Sequence, residues 1–159
     1  VGVYDAAVSA FSYVDISATL AAGDKFFGAA TAPNGLVVFA PSRADGVGAY
    51  DAAASAFSYV DISATLAADW KFFGAATAPN GLVVFAPSNA DGVGVYDAAA
   101  SAFSYVDISA TLAANNKFFG AATAPNGLVV FAPRNAAGVG VYDAAVSAFS
   151  YVDISATLA

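Results

Sequence analysis

Ala78-Pro79-Asn80-Gly81-Leu82-Val83-Val84-Phe85-Ala86-Pro87 is the stretch on which the fold turns. Pro presets φ for a turn, and Asn-Gly tolerates positive φ, so residues 78–81 read as a hairpin. Leu82 to Ala86 is apolar and β-branched, which suits a buried strand, and Pro87 ends it. Before the turn, Lys71-Phe72-Phe73-Gly74-Ala75-Ala76-Thr77 reads as a small-residue strand. After Pro87, Ser88-Asn89-Ala90-Asp91-Gly92 is a loop and Val93-Gly94-Val95-Tyr96-Asp97 a third strand. Asp97 can close the next turn by accepting from backbone N–H groups two residues on. Phe103-Ser104-Tyr105-Val106-Asp107-Ile108 makes a fourth strand, its apolar residues interrupted by Ser104 and Asp107. The rival for this last segment is an Ala-rich helix over 98–114, but the aromatic and β-branched run favours strand.

The whole pattern recurs. Val93-Gly94-Val95-Tyr96-Asp97 matches segments starting at Val1, Val47 and Val139, so the period is 46 residues. Length is therefore set by repeat count rather than by the size of one ordinary domain. Four short strands per unit, at about ten-residue spacing within a 40–50-residue repeat, is the pattern of a propeller blade. The expected architecture is all-β: β-propeller-type tandem repeats of four-stranded antiparallel blades forming an incomplete ring. Residues 1–22 form a half blade of strands three and four, and 23–68, 69–114 and 115–159 are three blades.

Composition narrows the function. The chain is 59% apolar and 11% charged, too apolar for a disordered segment. No uninterrupted apolar stretch approaches the roughly 18 residues of a membrane helix, so no membrane span is expected. Cys, His and Met are absent, as are Glu and Gln, and all 12 acidic residues are Asp. Thiolate chemistry is excluded, and the usual acid–base and nucleophilic groups are scarce. A net charge of −7 with five Lys and Arg argues against a nucleic-acid partner.

The segment Gly74-Ala75-Ala76-Thr77-Ala78-Pro79-Asn80-Gly81-Leu82-Val83-Val84-Phe85-Ala86 resembles the G-x-A-x-S-P-D-G-x-x-V-Y-V pattern of YVTN-type β-propeller repeats. Val93 to Asp97 is similar to that family's V-x-V-I-D. This unit is a few residues longer, and its turn after the Asp is Ala-rich instead of polar. The resemblance implies a radial propeller, often at a cell surface, acting as a binding platform.

Repetition also weighs on the candidate residues. The Asp97 and Asp107 columns recur in all four copies, which suits structure better than a unique site. Asp97 is expected to cap a turn, and Asp107 to be a solvated or edge-protecting charge on its strand. Ser88 to Gly92 lacks the D-x-D-x-D-G calcium pattern, so no metal or other cofactor is assigned. Lys25, Lys71 and Lys117 open strand one of each blade. They could ring the channel mouth and attract an anion, or each could pair with a nearby Asp. The Phe pairs 26–27, 72–73 and 118–119 are expected to pack the core.

The copies differ mainly in two loops. Asp24, Asp69-Trp70 and Asn115-Asn116 precede strand one. Arg43 and Asp45, Asn89 and Asp91, and Arg134-Asn135 follow strand two. In a four-stranded meander both loops fall at one end, opposite the Asn-Gly turns. Loops on a rigid scaffold carry binding residues, and Trp and Arg are favoured at hot spots. This face is the candidate site for a protein or glycan partner.

The expected function is a non-enzymatic scaffold or interaction module, outside the cell or at its surface. The alternatives are a lactonase- or lyase-like propeller enzyme, and a subunit of an extracellular filament or surface layer. A ring of near-identical units disfavours a unique catalytic cluster. Strands three and four at residues 1–16 have no strands one and two of their own. The expectation is therefore self-association, or further repeats of a longer chain, completing the open end.

Overall fold

The computed structural model describes residues 1–21 and 23–157. Among the described residues fourteen strands follow one another: β1 (Gly2–Asp5) and β2 (Ala10–Tyr13); β3 (Phe26–Thr31), β4 (Val37–Pro41), β5 (Gly46–Asp51) and β6 (Ala56–Asp61); β7 (Phe72–Thr77), β8 (Val83–Pro87), β9 (Gly92–Asp97) and β10 (Ala102–Asp107); β11 (Phe118–Thr123), β12 (Val129–Pro133), β13 (Gly138–Asp143) and β14 (Ala148–Asp153). They form a hairpin, β1–β2, and three four-stranded antiparallel meanders in chain order. The ends of the first and last expected segments, at positions 22 and 158–159, lie outside the described residues. The all-β reading holds, and the ring is not closed.

Each meander follows from its turns. Gly81, at φ +87°, closes the turn after β7, with its N–H donating to Ala78 O at 2.9 Å. The Ala-rich stretch expected to rival as a helix is a tight turn instead. Asp97 Oδ1 accepts from Ala99 N and Ala100 N at 2.9 and 3.1 Å. Ser101 then takes φ +50° and starts β10. Two backbone donors capped by one carboxylate make a turn more favourable here than helix propensity alone would suggest.

The core lies between the sheets, not within any one of them. Val84, Ala86, Val93 and Val95 on one face of β7–β10 meet Phe118, Val129, Phe131 and Tyr142 of β11–β14. The opposite face of β7–β10 presents Phe72, Val83, Phe85 and Tyr96 to Val38, Ala40, Val47 and Ala49. Each blade thus offers small aliphatic residues to the next blade and aromatic residues to the previous one. Burying such a Phe contributes about 1.5–3 kcal/mol, so no blade is expected to be stable alone.

The innermost strands nearly touch. Residue 74 sits where the β7–β8 register shifts, with φ +119°. A Cβ placed there would fall 2.6 Å from Gly120 Cα. Only glycine serves both the backbone conformation and the close approach. Polar ties repeat at the same offset. Thr77 Oγ1 donates to Thr31 O and Thr123 Oγ1 to Thr77 O, both at 2.7 Å. Asn34 Nδ2 donates to Ala98 O at 3.0 Å, and Asn80 Nδ2 to Ala144 O at 2.8 Å.

Candidate ligand site on the loop face

The loop into strand one is held in an unusual conformation. Asp24, Trp70 and Asn116 occupy the same column and all have positive φ, at 48°, 57° and 53°. Asp and Asn tolerate this left-handed region, because their short side chains bond locally. A tryptophan there is an outlier. Its conformation is fixed by neighbours on both sides: Trp70 O accepts from Asn89 N at 3.0 Å, and Lys71 N donates to Ser42 O at 3.2 Å.

The strain sets the indole at the rim of a cavity of about 420 Å³, lined by Phe27, Trp70, Phe73, Asn89, Asn116, Phe119 and Arg134. Its floor is aromatic. Phe27 and Phe73 ring centroids are 4.6 Å apart, and Phe73 and Phe119 meet edge-on at 5.4 Å. Trp70 stands at 6.0 Å from Phe73, edge-on. Two guanidinium groups flank the aromatics: Arg43 lies 5.5 Å from the Trp70 ring centre and Arg134 5.8 Å from that of Phe119. Asn89 Oδ1 accepts from Asn116 N at 3.0 Å, tying two rims of the pocket together.

Of the residues singled out in the sequence, Trp70, Asn89, Asn116 and Arg134 converge on this pocket, and Arg43 adjoins it through Trp70. Asp24, Asp45, Asp69, Asp91, Asn115 and Asn135 sit on the same loops without lining it. Asp69 pairs loosely with Arg43 at 3.9 Å. Both side chains are largely exposed, so the pair adds little. Asn135 Nδ2 donates to Asn115 O at 3.5 Å.

Three expectations change. Lys71 and Lys117 do not ring an open channel mouth, because both are fully buried. Lys71 Nζ donates to Ala44 O at 3.0 Å, and Lys117 Nζ to Ala90 O at 3.0 Å. Strand one starts at a blade boundary, so its lysine points back into carbonyls of the preceding loop. Burial pushes both ammonium groups below the usual lysine range. The carboxylate of Asp91, 3.9 Å from Lys117, works against that shift. Lys25 is only half-buried and makes no such carbonyl bond among the described residues.

The Phe pairs are not all core. Phe72 and Phe118 lie in the interfaces between sheets and Phe26 packs on Phe39 and Phe57 of its own blade, while Phe27, Phe73 and Phe119 turn to the pocket, with Phe119 52% exposed. Neighbouring residues on a strand point to opposite faces, so the two rings of a pair meet different surroundings, although in the middle blade both Phe72 and Phe73 are buried. The Asp107 column is also more than a solvated charge. Ser109 N donates to Asp107 Oδ1 at 2.8 Å, and this bond holds the carboxyl below its ordinary range.

No family model and no curated protein sequence matches the chain. Solved structures do. The chain is similar to virginiamycin B lyase from Staphylococcus aureus, at TM-score 0.73 and 11% identity, covering 92% of this chain and 46% of that one. It is similar to the extracellular domain of a one-component system from B. thetaiotaomicron, at TM-score 0.71 and 13% identity, covering 96% and 21%. An auxiliary nutrient binding protein from Bacteroides ovatus follows at TM-score 0.55 and 12% identity, covering 79% and 30%. These likenesses support the β-propeller fold and nothing finer. The chain spans less than half the length of each of them.

Proposed function

We propose that this chain is a non-enzymatic propeller-type binding module acting outside the cell, and that its ligand is an anionic saccharide held in the loop-face pocket. The carrying observation is Trp70. A bulky residue in the left-handed region costs about 1–2 kcal/mol, and the sibling positions use Asp24 and Asn116, which tolerate that backbone better. Strain of this kind concentrates at ligand clamps.

The chemistry of the lining supports the ligand class. Aromatic faces at Trp70, Phe73 and Phe119 stack on the C–H faces of a sugar ring. Amides at Asn89 and Asn116 bond its hydroxyls, and Arg134 suits a carboxylate. None of the lining side chains exchanges a proton near neutral pH, which favours binding over turnover. Neighbours described as extracellular or nutrient-binding fit an extracellular setting.

Trp70 is the only tryptophan, so its fluorescence reports directly on the pocket. Titration with uronic-acid oligosaccharides is expected to shift its emission saturably, with neutral oligosaccharides weaker. Arg134→Ala should weaken the acidic ligands about tenfold or more, the loss expected for one charge-assisted contact. An emission unchanged by every acidic and neutral oligosaccharide tried would overturn the assignment.

A further inference from the structure

The face opposite the loop pocket carries two cavities that are copies of each other. One, of about 510 Å³, is lined in part by Pro33, Asn34, Asn80, Leu82 and Asp97. The other, of about 430 Å³, has Pro79, Asn80, Asn126, Leu128 and Asp143, the same five residue types 46 positions on. Each lies where the Asn-Gly turn of one blade meets the turns of the next. Both boundaries separate complete blades, so neither cavity depends on where the chain begins or ends. Asn80 borders both, and the two open side by side.

The lining selects a ligand. Asp97 and Asp143 are half-buried. The five Lys and Arg of the chain all stand at the other end of the strands, on the loop face or, for Lys71 and Lys117, buried beneath it. No cation of the chain therefore neutralises these carboxylates. Each carboxylate is half used. Asp97 Oδ1 accepts from Ala99 N and Ala100 N at 2.9 and 3.1 Å, and Asp143 Oδ1 from Ala145 N at 2.9 Å. Oδ2 of each makes no hydrogen bond or ion pair among the described residues. One free oxygen suits a single ammonium; a guanidinium fork uses two. Pro33 with Leu82, and Pro79 with Leu128, give an aliphatic stem an apolar wall to lie on. Asn34 Nδ2 and Asn80 Nδ2 each place one N–H on a turn carbonyl, Ala98 O at 3.0 Å and Ala144 O at 2.8 Å. The second N–H of each amide is left to donate to a further acceptor.

We infer that the turn face docks an extended, lysine-bearing segment of a partner protein. Two lysines of that segment enter the Asp97 and Asp143 cavities, and its backbone carbonyls accept from Asn34 and Asn80. The amide donors favour a peptide over a free polyamine, which has no carbonyl to offer. The surface is separate from the loop-face pocket and does not rest on the saccharide reading.

Amide NMR with end-capped synthetic peptides tests the docking. A peptide with one lysine should fill two equivalent sites and shift the Ala99 and Ala145 amide signals. Peptides with two lysines on glycine spacers of increasing length should pass through an optimum that binds about tenfold more tightly, the gain of a linked second site. Asp97→Asn and Asp143→Asn keep an oxygen to cap the turn, and each should remove one site and the two-lysine gain. Asp107→Asn, the same charge change on the loop face, should leave lysine binding unchanged. Peptides with norleucine in place of lysine should not bind. No shift with any lysine peptide, equal binding of the norleucine peptides, or a loss as large in Asp107→Asn would each overturn the site. Tighter binding by arginine peptides would overturn the ammonium assignment, and tighter binding by spermidine the peptide one. Should the Asp variants fail to fold, the lysine–norleucine comparison on the unaltered chain still decides.

Discussion

Lys71 Nζ lies 3.0 Å from the carbonyl oxygen of Ala44, across the boundary between two blades. A second carbonyl, Ser42 O, is 3.4 Å away. The ammonium therefore exchanges water for backbone acceptors that no strand ladder uses. Its aliphatic stem fills the same boundary.

Lys71→Ala removes the donor, leaves the Ala44 carbonyl unpaired while Ser42 O keeps its bond from the backbone N–H of residue 71, and opens a cavity, at a cost of about 2–4 kcal/mol. Lys71→Met keeps most of the volume and is expected to cost less. Urea midpoints of the two variants check the order; equal stability for wild type and Lys71→Ala would show that the staple does not hold the boundary.

Alkaline stability should pass through a maximum near pH 10. Lys71 and Lys117 lose their protons earlier in the fold than in the unfolded chain, mainly through burial. Stability then rises with pH from their depressed folded values up to the unfolded lysine range, about 10.4. Tyr59 and Tyr105 are pushed up to about 12, first by burial and then by nearby Asp carboxylates. Their unfolded phenols ionise near 10, so stability falls between about pH 10 and 12. On the acid side, Asp61 and Asp107 are lowered by bonds from Ser63 and Ser109, and their support is lost as pH falls below the unfolded range of about 3.9. Denaturation midpoints measured from pH 3 to 12 trace both limbs.

Trp70→Asn should stabilise the protein by about 1 kcal/mol, since Asn tolerates the left-handed backbone that Trp resists. The same change is expected to abolish saccharide binding. Thermal midpoint and calorimetric titration on one preparation test both halves. A loss of stability would mean that the indole's contacts with Phe27 and Phe73 outweigh the strain.

Gly74→Ala should be the most damaging single methyl addition on the innermost strands. The new carbon would fall 2.6 Å from Gly120 Cα, backbone that cannot rotate away. A cost of about 2 kcal/mol or more is expected from overpacking and positive φ together. Gly120→Ala, which meets nothing within 4 Å, isolates the conformational part of that cost.

The strands, their order and the turns between them were legible in the sequence, because each depends on a few adjacent residues. Pro79-Asn80-Gly81 forces a turn wherever it stands. The run Leu82 to Ala86 favours extended backbone, and Asp97 caps the turn that follows it. The 46-residue period then copies that local result along the chain. The two variable loops could be placed at one end by counting strands, which put Trp70, Arg134 and the Asn residues together. What the sequence could not decide is which face of a strand meets which neighbour. Alternation says that Phe72 and Phe73 point apart; only the stacked blades decide that Phe72 is core and Phe73 is pocket floor. Lys71 reads as a solvated charge until the preceding blade brings up carbonyls from 27 and 29 residues away. The left-handed turn at Trp70 is likewise invisible in a residue that disfavours it. Burial and strain at these positions are set between repeats, by surfaces that exist only once the sheets are stacked.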